Sequence, residues 1–322
     1  MSQQTERAMK MGAHLSRRNF LITTAVAAAG TSLAASRTEP SASDHPFTGR
    51  LCFFSKHLPD MDPRRLAENV KNAGFNGIDL TVRKRGHVLP EKAVQDLPKA
   101  VAAIRAEGLE VPMITTELLS AADPTARPIL STAGRLGIPF LKPGYYRYEF
   151  VDVRKELEKA GNEFRGLVEL AKESSIQVGY HNHAGYVGAP VWDMARIIDG
   201  LDPRWAGYYF DVRHSVVEGG DAGWKIAANL IAPRLKMIAV KDFYWEKTSR
   251  GWGQHNCPLG EGMVDWKQYF GVLARTGFRG PVSLHFEYDI PGTGATLEDN
   301  TLAAARRDLQ FVKARLQEAY KM

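Results

Sequence analysis

The sequence predicts an α/β fold, a single (β/α)8 TIM barrel, and three observations predict it. From Arg50 onward, short apolar runs alternate with amphipathic helical stretches, the pattern of parallel strands joined by crossover helices. The count reaches eight strands and eight helical slots, enough to close a barrel, where a doubly wound sheet typically uses fewer strands. No glycine-rich fingerprint follows the first strand, so no nucleotide cofactor is expected.

Each element has its own signal. Strand one, over 51–55, is a buried-type apolar run, and the helix expected over 62–73 is ended by Gly74. Strand two is 77–82, and its helix over 95–107 is ended by Gly108. Strand three is 111–115, strand four 140–143, and a long helix over 153–173 leads to strand five at 177–180. A short helix over 191–199 precedes strand six at 207–211, and strand seven is 235–240. A helix over 266–276, ended by Gly277, precedes strand eight at 282–286, and a helix over 302–320 completes the series. Glycine just past a helix supplies the left-handed residue that helix ends favour. No interior linker divides 50–322, so one domain is expected there.

The first 35 residues read as targeting rather than fold. Arg7, Lys10, Arg17 and Arg18 precede an apolar stretch over 20–35 and then a polar run over 36–45, the order of a secretory signal. Ser16-Arg17-Arg18-Asn19-Phe20-Leu21 resembles the twin-arginine export motif. The expectation is a signal over 1–35, a linker over 36–49, the twin-arginine translocation machinery as a transient partner, and a periplasmic or otherwise exported protein. The chain holds 42 basic and 36 acidic side chains, of which the first 35 residues hold four and one. That leaves 38 against 35, a net of +3, with no basic block interleaved with aromatics, so charge does not point to nucleic acid. Cys52 and Cys257 lack metal-type spacing. A disulfide between them is one reading, and a small core residue within a buried strand is the other for Cys52.

In such a barrel the working site is built at the C-terminal ends of the strands. Here most strands end in chemically competent residues. Strand two runs into Arg83 and His87, strand three into Glu117, and strand four carries Lys142. Strand five ends in Tyr180-His181-Asn182-His183, strand six in Asp211-Val212-Arg213-His214, strand seven in Lys241-Asp242 and strand eight in His285-Phe286-Glu287. One histidine after a strand is ordinarily a structural hydrogen-bonder. Clustering of so many at one rim is what favours function. Residues two apart in a strand share a face, which pairs His181 with His183, Ala239 with Lys241, and His285 with Glu287.

These strand ends, together with Pro258-Leu259-Gly260-Glu261-Gly262-x-x-Asp265-Trp266, resemble the xylose-isomerase-like sugar isomerase/epimerase superfamily, over roughly 51–320. The resemblance implies a divalent metal held by Glu, Asp, His and Glu at the ends of strands five to eight. Carried onto this chain, the strand-six ligand is Asp211, the strand-five position holds His181, and the strand-seven position is Ala239, which ligates nothing. The strand-eight position is His285, with Glu287 two residues on. His181, Asp211 and His285, with His214 or Glu287 filling in, would suit Zn²⁺, Mn²⁺, Co²⁺ or Fe²⁺ better than Ca²⁺. The competing reading is a metal-free site in which Lys241 supplies the positive charge.

The chemistry implied is removal of a proton next to a carbonyl, giving an enediolate. Glu287 or His183 is the expected base, and Lys241 or the metal the oxyanion stabiliser. Arg83, His87, Lys142, Asn182 and His214 are candidates to grip substrate hydroxyls or a carboxylate, and Tyr146, Tyr180, Trp245 and Trp252 to stack on a sugar. Export favours a free sugar, a keto-sugar or a glycoside as the small-molecule partner. A lyase on a keto-sugar and a non-catalytic carbohydrate-binding barrel are the alternatives, and a homo-oligomer stays open. Asp211, as a rim carboxylate, is expected to be replaceable without loss of the fold.

Overall fold

Barrel strands are covered on both faces, by the barrel interior and by the surrounding helices, so they read as continuous apolar runs rather than alternating ones. Every residue of the second and sixth strands is indeed buried. The computed structural model describes residues 46–320. The signal expected over 1–35, and the linker up to residue 45, lie outside them. In chain order the elements are β1 (Leu51–Phe54), α1 (Pro63–Asn72), β2 (Gly77–Val82), α2 (Ala93–Ala106), β3 (Glu110–Thr116) and α3 (Ala126–Arg135). There follow β4 (Phe140–Lys142), α4 (Val153–Glu173), β5 (Gln177–His181), α5 (Trp192–Asp199), β6 (Ala206–Asp211) and α6 (Val212–Ile231). The last group is β7 (Leu235–Val240), β8 (Asp242–Thr248), β9 (Gly251–Cys257), α7 (Trp266–Arg275), β10 (Val282–Leu284) and α8 (Gly294–Tyr320).

Strands β1 to β7 pair in parallel in sequence order, β7 then pairs with β10, and β10 closes the ring onto β1 through Leu51 with Val282. The expected (β/α)8 barrel is the observed one. Helix starts follow from caps: the Asp62 carboxylate accepts the Arg64 and Arg65 amides at 3.1 Å, with Pro63 fixing the first turn of α1. That helix ends at Gly74, whose φ of 97° suits glycine alone.

Three features depart from the sequence expectation. Helices α3 and α6 fill the two slots that had no assigned span. Helix α6 starts without a loop, because Asp211 at the end of β6 is itself the cap and accepts the His214 amide at 3.3 Å. Helix α8 begins at Gly294, earlier than 302, and its first buried residue is Thr301, so the added turns run along the surface where no apolar pattern marks them. Between β7 and α7, β8 and β9 form an antiparallel hairpin that pairs Asp242 with Cys257 and Trp245 with Gln254. The hairpin is mostly exposed, so it lacks the alternation that burying one face would impose.

Inside the ring, Met113, Tyr209, Met237 and Ala239 pack with Phe140. Asp79 lies in the same interior, accepting the Thr115 hydroxyl at 2.7 Å and the Ser283 hydroxyl at 2.8 Å. Burial raises its carboxyl to about 6 despite those bonds. Phe47 packs its ring on Phe278 and Tyr320, so the chain joins the barrel before Arg50. Cys52 and Cys257 are both buried and free, which excludes the disulfide reading, and burial raises both thiols.

Candidate active site

The strand ends deliver their polar side chains to one cavity of about 90 Å³ at the C-terminal mouth of the barrel. His181 closes β5, its Nδ1 2.8 Å from the Tyr145 hydroxyl and its Nε2 3.3 Å from Asp211 Oδ2. Asp211, fully buried at the end of β6, also has Lys241 Nζ at 3.5 Å and His214 Nε2 at 3.6 Å. Glu287, just past β10, receives Lys241 on one oxygen at 2.7 Å and Lys56 on the other at 2.6 Å. Lys241 therefore joins the two carboxylates, and neither can turn without disturbing it.

The field of these charges sets the protonation states. Burial pushes Glu287 up, but Lys241, His285 and Lys56 hold it well below the usual carboxylate range. Burial likewise works against Asp211, and Lys241, His181 and Arg213 outweigh it, leaving the group lowered. Burial lowers His181 to about 3, and burial with the Lys241 charge lowers His183 to about 4. His214 and His285 are depressed by the same two causes. At neutral pH the mouth holds two ionised carboxylates and four uncharged imidazoles. His183 Nδ1 lies 3.0 Å from the Ala184 carbonyl, so that nitrogen carries the proton and Nε2 keeps a lone pair.

Arg83, Lys142, His181, His183, Lys241, His285 and Glu287 all line the cavity. Four residues expected there do not: Asp211 and His214, which meet each other at 3.6 Å outside the lining, and Asn182 and His87. Asn182 is locked to β6, donating to the Asp211 carbonyl at 2.9 Å and accepting the Asp211 amide at 2.7 Å. His87 bonds Thr81 through its amide at 3.1 Å and lies off the cavity. His285 lines the cavity but stands outside the Asp211 cluster, its Nε2 3.1 Å from the Tyr209 hydroxyl and its ring stacked on Phe54. Tyr146 and Tyr180 stack on each other and spend their hydroxyls on the Leu119 and Val187 carbonyls, so they are packing residues. Trp245 and Trp252 sit on the exposed hairpin. Lys56, Tyr145 and Tyr209 line the cavity and had not been singled out, although Ser55-Lys56-His57 directly after β1 carries the same strand-end signal.

His181, Asp211 and His214 each present one donor atom, all within 4.8 Å of one another, and form the metal-capable cluster of the mouth. The third donor is thus His214 rather than His285. Two nitrogens and one carboxylate oxygen suit a divalent ion in kind. Two neighbours compete with one. Arg213 Nη1 donates to His214 Nδ1 at 3.2 Å, which puts the ring proton on Nε2, facing Asp211. Lys241 already brings positive charge to the same carboxylate.

Asp242 explains the glycine motif. Its carboxylate accepts the amides of Gly260 at 3.0 Å, Gly262 at 3.3 Å and Val264 at 3.3 Å, and the Trp266 indole at 2.7 Å. A Cβ on Gly262 would lie 2.1 Å from Asp242 Oδ1, so only glycine fits. Asp211 is structural as well as polar at the rim. It is fully buried, caps α6 and holds Lys241, which corrects the expectation that it is dispensable to the fold.

Residues 67–315 match the family model described as xylose isomerase-like TIM barrel. The chain is 25% identical over 173 residues to an inosose dehydratase of Clostridium tetani, covering 49% of this chain and 55% of the relative. The chain thus spans about half the length of the dehydratases it matches. Among solved structures, a xylose isomerase-like TIM barrel protein from Mycobacterium smegmatis in complex with magnesium superposes with a TM-score of 0.65 at 15% identity, over 85% of this chain and 98% of that one. A 3-keto-D-glucoside 4-epimerase from E. coli gives 0.63 at 14% identity, over 83% and 99%. With a family model covering most of the barrel and the ring closed in the same architecture, this chain belongs to the xylose isomerase-like TIM barrel family.

Proposed function

We propose that the protein is an exported enzyme of the isomerase/epimerase type, moving a proton on the carbon beside the carbonyl of a keto-sugar or keto-glycoside. The observation that carries this is the gathering, in one cavity, of two proton-accepting groups and a cation fixed to one of them: Glu287, His183 and Lys241. Glu287 follows β10 and His183 follows β5, three strands apart along the ring, so the two flank a bound sugar from different sides. One removes the proton, and the other returns it to the opposite face. Lys241, already set between Glu287 and Asp211, stabilises the oxygen on which charge develops, and needs no reorganisation to do so. A divalent ion held by His181, Asp211 and His214, when bound, would supply the same stabilisation as a Lewis acid. The relatedness to inosose dehydratases supports a second outcome from the same proton abstraction, loss of a β-hydroxyl as water.

The test is proton exchange in deuterated water, followed by NMR on 3-keto-glucosides and ketohexoses. The expected result is deuterium at the carbon beside the carbonyl, with an epimer formed for isomerase chemistry or an unsaturated product for the lyase. Glu287→Gln should slow exchange by about 10²- to 10⁴-fold. A protein that binds these sugars and exchanges nothing would be a binding barrel, and the proposal would be wrong.

A further inference from the structure

The charges around the mouth divide into two sides. On the β7–β10 side, Lys56 and Lys241 are matched by Glu287 and Asp211. On the β2–β4 side, Arg83 and Lys142 face the same cavity with no hydrogen bond or ion pair to either head group among the described residues. Lys142 is only 4% exposed, and its ammonium rests 3.5 Å from the centre of the Tyr145 ring. The Arg83 Nε is buried without an acceptor. An unpaired buried cation such as Lys142 is costly, and the half-buried Arg83 brings a second positive charge to the same cavity. Asp79 and Glu117 lie near enough to act on Lys142 through space, but neither forms an ion pair with it.

Resting on the reaction proposed above, we infer that the substrate is a sugar acid, whose carboxylate is held between Arg83 and Lys142. A planar guanidinium matches a carboxylate with two parallel N–H bonds, and the adjacent ammonium completes the charge. Thr115, on the strand between them, lines the same wall with a hydroxyl. The site lies across the ring from Lys241 and Glu287, so the acid end of the ligand is anchored away from the carbon that loses its proton. The anchor fixes which carbon meets Glu287 and His183, which makes it a specificity device. Phosphate esters share the anionic chemistry and are the competing source.

The test uses the full chain and calorimetric titration with D-glucuronate and 5-keto-D-gluconate, against neutral D-fructose and against D-fructose 6-phosphate. The acids should bind at least about tenfold more tightly than the neutral sugar. That preference should collapse toward unity in Arg83→Gln and in Lys142→Met, and Arg83→Lys should restore only part of it. Circular dichroism would confirm that each variant is folded. Equal binding of acid and neutral sugar, absence of acid binding at millimolar concentration, a preference for the phosphate ester, or a preference that survives both substitutions would overturn the inference. The reaction is judged separately. Exchange of a neutral keto-sugar without acid binding would leave the reaction standing and remove the anion site. Acid binding through Arg83 and Lys142 without exchange of any keto-sugar would do the reverse.

Discussion

The Lys142 ammonium lies 3.5 Å from the centre of the Tyr145 ring, and that ring is the nearest approach to a counter-charge it has. Burial, and then the Arg83 charge, lower Lys142 to about 7. The unfolded chain, with an ordinary lysine, binds more protons between pH 7 and about 10, so this group makes stability rise with pH across that window. Lys142→Met should remove the rise and raise stability at pH 7 by about 1–2 kcal/mol, measured by urea unfolding at several pH values. Loss of stability at pH 7 would contradict the reading of Lys142 as an unmatched charge.

Asp211 should behave in the opposite sense. Asp211→Ala removes the α6 cap and strands Lys241 beside one carboxylate in place of two, and should cost about 2–4 kcal/mol in the same unfolding assay. Asp211→Asn, which keeps an oxygen for the His214 amide, should lose less than half as much stability. Equal losses would mean that the charge, and not the cap, dominates.

Chelation separates the two sources of positive charge at the mouth. Because Lys241 already stands 3.5 Å from Asp211, turnover should survive treatment with EDTA and dialysis. Lys241→Met should depress turnover by about 10²-fold or more, with added Mn²⁺ or Zn²⁺ restoring part of it through His181, Asp211 and His214. His214→Ala should abolish that rescue. Complete inactivation of the unmodified protein by EDTA would show that the ion, not Lys241, provides the charge.

Export is proposed from Arg17-Arg18 and the apolar run after it. Replacing both arginines by lysine should leave precursor in the cytoplasm, seen by fractionation and immunoblotting. Unchanged processing of the double variant would exclude the twin-arginine route.

Much of the mouth was legible in the sequence, because a polar residue at the end of an apolar strand is a local signal and the barrel supplies the rest. Asp211, Lys241 and Glu287 were found that way, and all three meet. The same signal misplaced Asn182, although alternation between His181 and His183 already turns it to the other face, where it stitches β5 to β6. His87 failed for a different reason: it follows a turn through Arg85, at φ 56°, that carries it back to Thr81, and strand periodicity does not extend through a turn. Tyr145 and Lys56 reach the cavity from segments after β4 and β1 whose path is set by tertiary packing, and sequence spacing holds no record of that path. The hairpin β8–β9 was hidden because it buries too little to impose a pattern.

The dipeptide Lys241-Asp242 splits its labour by strand alternation: one side chain faces the cavity, and the other ties down the Gly260–Trp266 loop. The Gly-Glu-Gly-x-x-Asp-Trp signature is thus a record of loop construction around a single carboxylate. In this chain the signature therefore specifies how the rim is built and leaves the cavity chemistry to other side chains. That chemistry rests with the side chains the motif does not contain, among them Lys241 and His285, which line the cavity.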